Sequence, residues 1–174
     1  MRVEIRISGL GGQGVVLAGY ILGKAAVYDG KNVVQTQSYG AEARGSAAKS
    51  ELIISDEKIG FPMVRKCDIL VAMSREAVKK NLKDLKKNGI LLIDSSYVKS
   101  EVKAEAKIFK IQATHIAEKL YGQKIYANMV MLGALTKITN IVNENSMEQA
   151  IKNVVPKETI IKNIQAYKKG IEII

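Results

Sequence analysis

The sequence predicts an α/β chain: a doubly wound, mainly parallel sheet with a helical C-terminal portion. Three observations carry that prediction. Apolar runs of strand length alternate with stretches of helical period through about residue 112. The first run passes straight into a glycine-rich turn and a helix, in "RISGLGGQGVVLAG". Beyond residue 112 the apolar spacing is helical to the end. At 174 residues the chain can bury a sizeable core, and no internal repeat or low-complexity linker divides it. A single domain over residues 1–174 is therefore expected.

Each element has its own signal. "VEIRISGL" alternates and then meets glycine, which reads as a strand over about residues 2–8. "GVVLAGYILGKAAVYDG" follows at helical period, with Gly30 as its stop. "KNVVQTQSYG" is a second strand entering a polar loop, "AEARGSAAKS" is small and polar, and "ELIISD" is a further strand. Pro62 ends a short connection before the strand "CDILVAMS". "REAVKKNLKDLKKN" reads as an amphipathic helix, "GILLIDSS" as a strand and "KIFKIQA" as a short extended segment. "THIAEKLYG", "NMVMLGALTKITN" and "SMEQAIKNVV" read as helices. Pro156 breaks the chain before a last helix over "KETIIKNIQAYKKGIEI".

Composition narrows the function. Hydrophobic residues make up 47% and charged ones 25%, as in ordinary globular chains. The 27 Lys and Arg against 17 Asp and Glu leave a net charge of +10, which favours anionic partners. The basic residues are spread out, no recognition motif appears, and aromatic stacking surface is scarce, so nucleic-acid binding ranks last. One cysteine, Cys67, rules out an internal disulfide and a cysteine-ligated zinc or iron–sulfur site within this chain. It precedes an apolar run and reads as a core-edge residue. The lone His115 cannot build a multi-histidine metal site, and no Ser/His/Asp or Cys/His set is visible, so neither catalytic nor metal-binding residues are assigned. No signal-type or membrane-length apolar stretch is present, which leads us to expect a soluble, cytoplasmic protein with no membrane contact.

The glycine turn carries the chemistry. Gly9, Gly11 and Gly14 fit the spacing G-x-G-x-x-G, with Gly12 and Gln13 between them. A helix N-terminus exposes unpaired N–H groups and attracts anions, and glycine lets a phosphate approach the backbone. An NAD site also needs an acidic residue ending the second strand. Gln35, Thr36 and Gln37 stand there instead, and Asp29 falls before the strand. An NADP site would want an arginine nearby; Arg44 lies nine residues past Gln35 within the small-residue loop. The P-loop pattern is absent. A phosphate role for Arg44 competes with a pairing to Glu42 or to another subunit, and Lys49 adds a point charge nearby.

"SGLGGQGVVLAG", "SYGAEARGSAAKSELIISDEKI" and "YANMVMLGALTKIT", in this order and spacing, resemble the gamma subunits of the 2-oxoacid:ferredoxin oxidoreductases, most closely the 2-oxoglutarate type. The resemblance spans nearly the whole chain and implies a Rossmann-like module joining alpha and beta (in some enzymes also delta) subunits. Such enzymes convert a 2-oxoacid and coenzyme A to an acyl-CoA and carbon dioxide, passing two electrons to ferredoxin. Thiamine diphosphate and iron–sulfur clusters sit on the partner subunits. This chain alone is therefore expected to bind no cofactor and to be inactive in isolation, while helping to form the coenzyme A site. Gly9, Gly11, Gly12, Gln13, Gly14, Arg44 and Ser46 are the residues the resemblance and the turn together nominate. Ser46 stands where the family segment often has a second glycine. "NMVMLGAL", with Met129 and Met131, is expected at a subunit interface, and Tyr39 and Tyr126 as buried anchors. Three alternatives stay open: a gamma subunit of a pyruvate enzyme, one of a branched-chain 2-oxoacid enzyme, or a free-standing nucleotide-binding module. Self-association of the isolated chain is a further expectation.

Overall fold

A computed structural model describes residues 1–41 and 45–174. Strand β1 (Arg2–Leu10) leads into helix α1 (Val15–Tyr28), and the chain returns as β2 (Asn32–Tyr39) and β3 (Ala47–Ser55). Then come β4 (Cys67–Ala72), α2 (Arg75–Asn81), β5 (Leu85–Asp94) and β6 (Lys107–Ile111). Helices α3 (Ala113–Tyr121), α4 (Ala127–Thr139), α5 (Glu144–Val154) and α6 (Ile160–Glu172) complete the molecule. The sheet order is β2-β3-β1-β4-β5-β6. Strands β1, β4, β5 and β6 run parallel. Strand β3 is antiparallel to both its neighbours, filling the place between β1 and β2.

Alternation along each strand sorts side chains onto two faces. Ile5 and Ile7 of β1 join a large core with α1, α4, α5, α6 and the start of α3. The opposite face carries a smaller core of Ile53, Leu70, Leu91 and Ile93 under α2. The fold is thus wound on both faces, with most of its helical mass on one. Helix α4 lies deepest: every residue from Ala127 to Thr136 is buried. It crosses α6 at backbone contact, where a Cβ on Gly133 would run into the Tyr167 carbonyl and one on Gly170 into the Val130 carbonyl.

Several expectations need correcting. The helix expected over residues 75–88 stops at Asn81. A 3-10 turn over Leu82–Asp84 follows, and Leu85 already pairs with Cys67 in the sheet. Three contacts fix that stop: Asn81 turns its amide back to the Ala77 carbonyl and the Ser8 hydroxyl, and Asp84 is held by Arg6. Tertiary pairing overrides the helical lysine pattern here. The "AAKS" segment expected in a loop is strand, with Ala48 and Ser50 buried beneath α1. Met129 and Met131 belong to the chain's own core, not to an exposed subunit interface. Tyr126 is buried as expected, but Tyr39 is 61% exposed. Cys67 is fully buried, and that burial pushes its thiol up to about 11. Among the described residues no helix is long and apolar enough to cross a membrane.

Candidate functional site

Between β1 and β4 the winding reverses. From β1 the chain crosses by α1 on one face, and from β4 it crosses by α2 on the other. Such a reversal leaves a crevice at the carboxyl ends of the strands, where open α/β sheets hold ligands. The glycine turn forms one wall of that crevice.

The turn is tightly fixed. Gln13 Oε1 accepts the Leu10 N–H at 2.7 Å, and its Nε2 donates to the Met73 carbonyl at 2.9 Å. Its amide therefore ties the end of β1 to the end of β4. Gly9 makes room for it, since a Cβ there would sit 2.5 Å from Gln13 Oε1. Gly14 opens α1 with φ at 71°, a left-handed conformation that glycine adopts without strain. It also lies against the Asn128 side chain of α4, whose Nδ2 donates to the Gly14 carbonyl at 3.2 Å. Without a side chain Gly14 offers no cap, so among the described residues the first N–H groups of α1 have no side-chain acceptor.

The hairpin reaches the same place. The Gly11 N–H donates to the Ser46 carbonyl at 2.7 Å, which docks the start of β3 onto the turn. Gly12 opens outward, with no described residue within 4 Å of where a Cβ would stand. The structure thus brings Gly9, Gly11, Gly12, Gln13, Gly14 and Ser46 together. Arg44 lies outside the described residues, as does Glu42, the other partner considered for it. Lys49 does not join this group. Its Nζ faces Glu51 at 3.4 Å, in a hollow beneath the hairpin lined also by Lys80 and Lys83.

The crevice is a cleft of about 370 Å³, lined by Gly11, Gln13, Gly45, Arg75, Glu76 and Tyr97 among others. Arg75, Glu76 and Tyr97 escaped the sequence reading. One signal for the first two was there: Ser74 directly follows an apolar strand and starts a helix, and its hydroxyl accepts the Ala77 N–H at 3.0 Å. Tyr97 had none, because only the fold brings the loop after β5 to the turn. The cleft offers a guanidinium, a half-exposed phenol and a glycine backbone, which suits a phosphate-bearing ligand. The described groups lining it suit binding and positioning a ligand. His115 lies elsewhere, on the first turn of α3 beside Ser96. Among the described residues no three His, Cys, Asp or Glu side chains gather as a metal site.

The chain as a whole has close counterparts in known proteins. The chain is 53% identical to a 2-oxoglutarate synthase subunit, KorC, of Methanocaldococcus jannaschii, over 99% of this chain and 94% of that one. It is 33% identical to the common gamma subunit of the pyruvate/ketoisovalerate oxidoreductases of Thermococcus litoralis, over 98% and 96% of the two chains. The crystal structure of a keto/oxoacid ferredoxin oxidoreductase gamma subunit from Geobacter sulfurreducens superposes with a TM-score of 0.87 at 42% identity, covering 98% of this chain and 96% of that one. The pyruvate ferredoxin/flavodoxin oxidoreductase family model matches residues 4–173, and the chain belongs to that family.

Proposed function

We propose that this chain is the gamma subunit of a 2-oxoglutarate:ferredoxin oxidoreductase. The observation that carries the reading is the end-to-end identity of 53% with a 2-oxoglutarate synthase subunit, against 33% with a pyruvate/ketoisovalerate one. The complex takes 2-oxoglutarate, coenzyme A and oxidised ferredoxin to succinyl-CoA, carbon dioxide and reduced ferredoxin. Two electrons leave the 2-oxoacid as its carboxyl departs, and the acyl group passes to the coenzyme A sulfur. Thiamine diphosphate and the iron–sulfur clusters belong to the alpha, beta and, where present, delta subunits, and the enzyme works in the cytoplasm. The residues here do not fit a cluster: the one cysteine, Cys67, is buried at the sheet's core.

This chain's part is positional. The cleft at the turn of the winding takes a phosphate of coenzyme A, with the backbone at Gly11, Gly12 and Gly14 approaching it and Ser46 beside them; Arg44 is assigned to the same phosphate from the sequence. Gly9 and Gln13 act one step back, holding the turn against β4. Co-expression with the alpha and beta subunits under anaerobic conditions tests the reading. Coenzyme A-dependent dye reduction driven by 2-oxoglutarate supports it, and preference for pyruvate or a branched-chain acid moves the chain to the sister enzymes. Turnover by the chain alone overturns it. Within the complex, Arg44→Ala raises the KM for coenzyme A about tenfold with kcat unchanged if the guanidinium holds a phosphate.

A further inference from the structure

Strand β2 is an edge of the sheet, and it is left unguarded. Its outer rim presents eight residues, Asn32–Tyr39, with no charge and no proline. Every other strand carries charge: Arg2, Glu4 and Arg6 in β1, Lys49 and Glu51 in β3, Asp68 in β4, Lys86, Lys87 and Asp94 in β5. The opposite edge, β6, carries Lys107 and Lys110 within five residues. Charged side chains are the usual means of stopping one edge from pairing with another. Their absence along β2, in a chain of net charge +10, marks the one stretch of sheet rim where two copies can meet without opposing lysines.

We propose that this chain, on its own, forms a two-fold dimer by antiparallel pairing of β2 with β2, centred on Thr36. Identical strands related by a two-fold axis perpendicular to the sheet meet antiparallel, with like faces aligned. Residues of the same parity then stand opposite each other. Val33 and Gln35 lie on the face of α1, where Val33 reaches Gly23 and Gln35 donates to Ser50 Oγ at 2.8 Å. With Thr36 facing its own copy, Val33 meets Tyr39, Val34 meets Ser38 and Gln35 meets Gln37. The first is an aromatic–β-branched pair of the kind that stabilises sheets, and it covers a tyrosine that is 61% exposed in the single chain. A shift of two residues would set Val33 against Gln37 and leave Tyr39 beyond the ladder. On the same side α1 presents Tyr20, 51% exposed, and Val27, 54% exposed, so the rim beside the new seam is apolar as well. The proposal stands apart from the enzyme assignment.

Sedimentation velocity of the purified full chain across a concentration series tests it. The wild type sediments as a dimer at the upper end, and raising the salt strengthens the dimer by screening two like-charged bodies. Thr36→Lys sets two ammonium groups against each other at the axis and moves the dimerisation midpoint upward by more than about tenfold in concentration. Thr36 is exposed, so the variant's melting curve should match the wild type. A monomeric wild type, or a Thr36→Lys chain that remains dimeric, overturns the proposal. Should the variant fail to fold, hydrogen exchange of the wild type decides. Concentration-dependent protection confined to residues 32–39 supports it. Protection elsewhere, or protection of β2 only on adding other subunits, refutes it.

Discussion

Strand β1 is the seam between two halves built on different rules. On one side β4, β5 and β6 run parallel to it; on the other β3 and β2 form an antiparallel hairpin. The parallel half needs cover on both faces, and its strands "CDILVA" and the end of "LKKNGILLID" are nearly continuous apolar runs. The hairpin half is covered by α1 on one face and, on the other, chiefly by the residues around Val64 that pack on Ile53. Its edge strand reads "NVVQTQSY" and stays polar and largely exposed. One half is thus enclosed within the chain, while the other has surface to give to something else. The candidate site sits on the seam, where the glycine turn of β1 meets the start of β3 and the end of β4.

The largest effect should come from the layer that spans both halves. At the crossing of α4 and α6 the backbones touch, and Gly133 has no room for a side chain. Gly133→Val forces the two helices apart and opens the core that Met129, Val130 and Tyr167 fill. A loss of about 3 kcal/mol or more is expected, read from the urea midpoint. A variant with an unchanged midpoint would show that the helical layer yields without cost to the sheet, and that the halves stand without it.

Next comes the tie across the seam. Arg6 in β1 is 3% exposed; its Nη2 lies 2.6 Å from Glu51 in the hairpin half, and its Nη1 lies 2.7 Å from Asp84 at the entry to β5. A third bond goes to Asn81 Oδ1 at 3.2 Å. Arg6→Ala removes the buried partner of two carboxylates and leaves them only Lys49 and Lys66 nearer the surface, and a cost of about 2–3 kcal/mol follows. Arg6→Met keeps the volume but not the charge. Combining Arg6→Met with Glu51→Gln and Asp84→Asn should recover part of the loss. Absence of recovery would mean that the arginine acts by packing alone. The third effect is smaller and more local. Gln13→Leu removes both bonds that pin the turn, costs about 1–2 kcal/mol and loosens coenzyme A binding in the assembled enzyme. Unaltered binding beside the lost stability would separate the turn from the ligand.

The two halves also differed in how far the sequence could be read. The parallel half follows local rules: an apolar run, a capping serine at Ser74, another apolar run. Its one surprise, the early end of α2, depends on Arg6 and Asn81, which meet from 75 residues apart, where no local pattern exists. The hairpin half was legible in its ends and not in its middle. "AAKS" looks like loop because its residues are small, and they are small because α1 lies close: a side chain on Gly19 would collide with Ser50. In the site, the glycines and Ser46 were legible as a motif. Gln13 was legible as a position but not as a tie to Met73, which needs β4 to lie beside β1. Arg75 and Tyr97 reach the cleft from separate elements. The buried state of α4 was hidden for another reason: methionines and small residues at helical spacing serve a subunit interface and a core equally well.

The smallest effect is the sharpest probe of the seam, because pH moves it without changing the chain. The hydrogen bond from Arg6 holds the Asp84 carboxyl below the usual carboxylate range, against a burial that pushes it up. A carboxylate whose folded value is depressed adds stability above its unfolded value of about 3.9 and loses it as pH falls through the folded value. Wild type and Asp84→Asn should therefore differ most near neutral pH. Their difference should shrink on the acid side, below the ordinary carboxylate range, and vanish once Asp84 is protonated. Urea midpoints of both proteins across that range provide the measurement. Glu51 shares the guanidinium but resides in the hairpin half, so the same pair of curves in an Arg6→Met background tells which half the acid loosens. There the Asp84→Asn difference should be flat with pH. A slope surviving without Arg6 would place the pH sensitivity in the lysines beside Asp84, Lys66 with its Nζ at 3.6 Å and Lys83, and take it away from the seam.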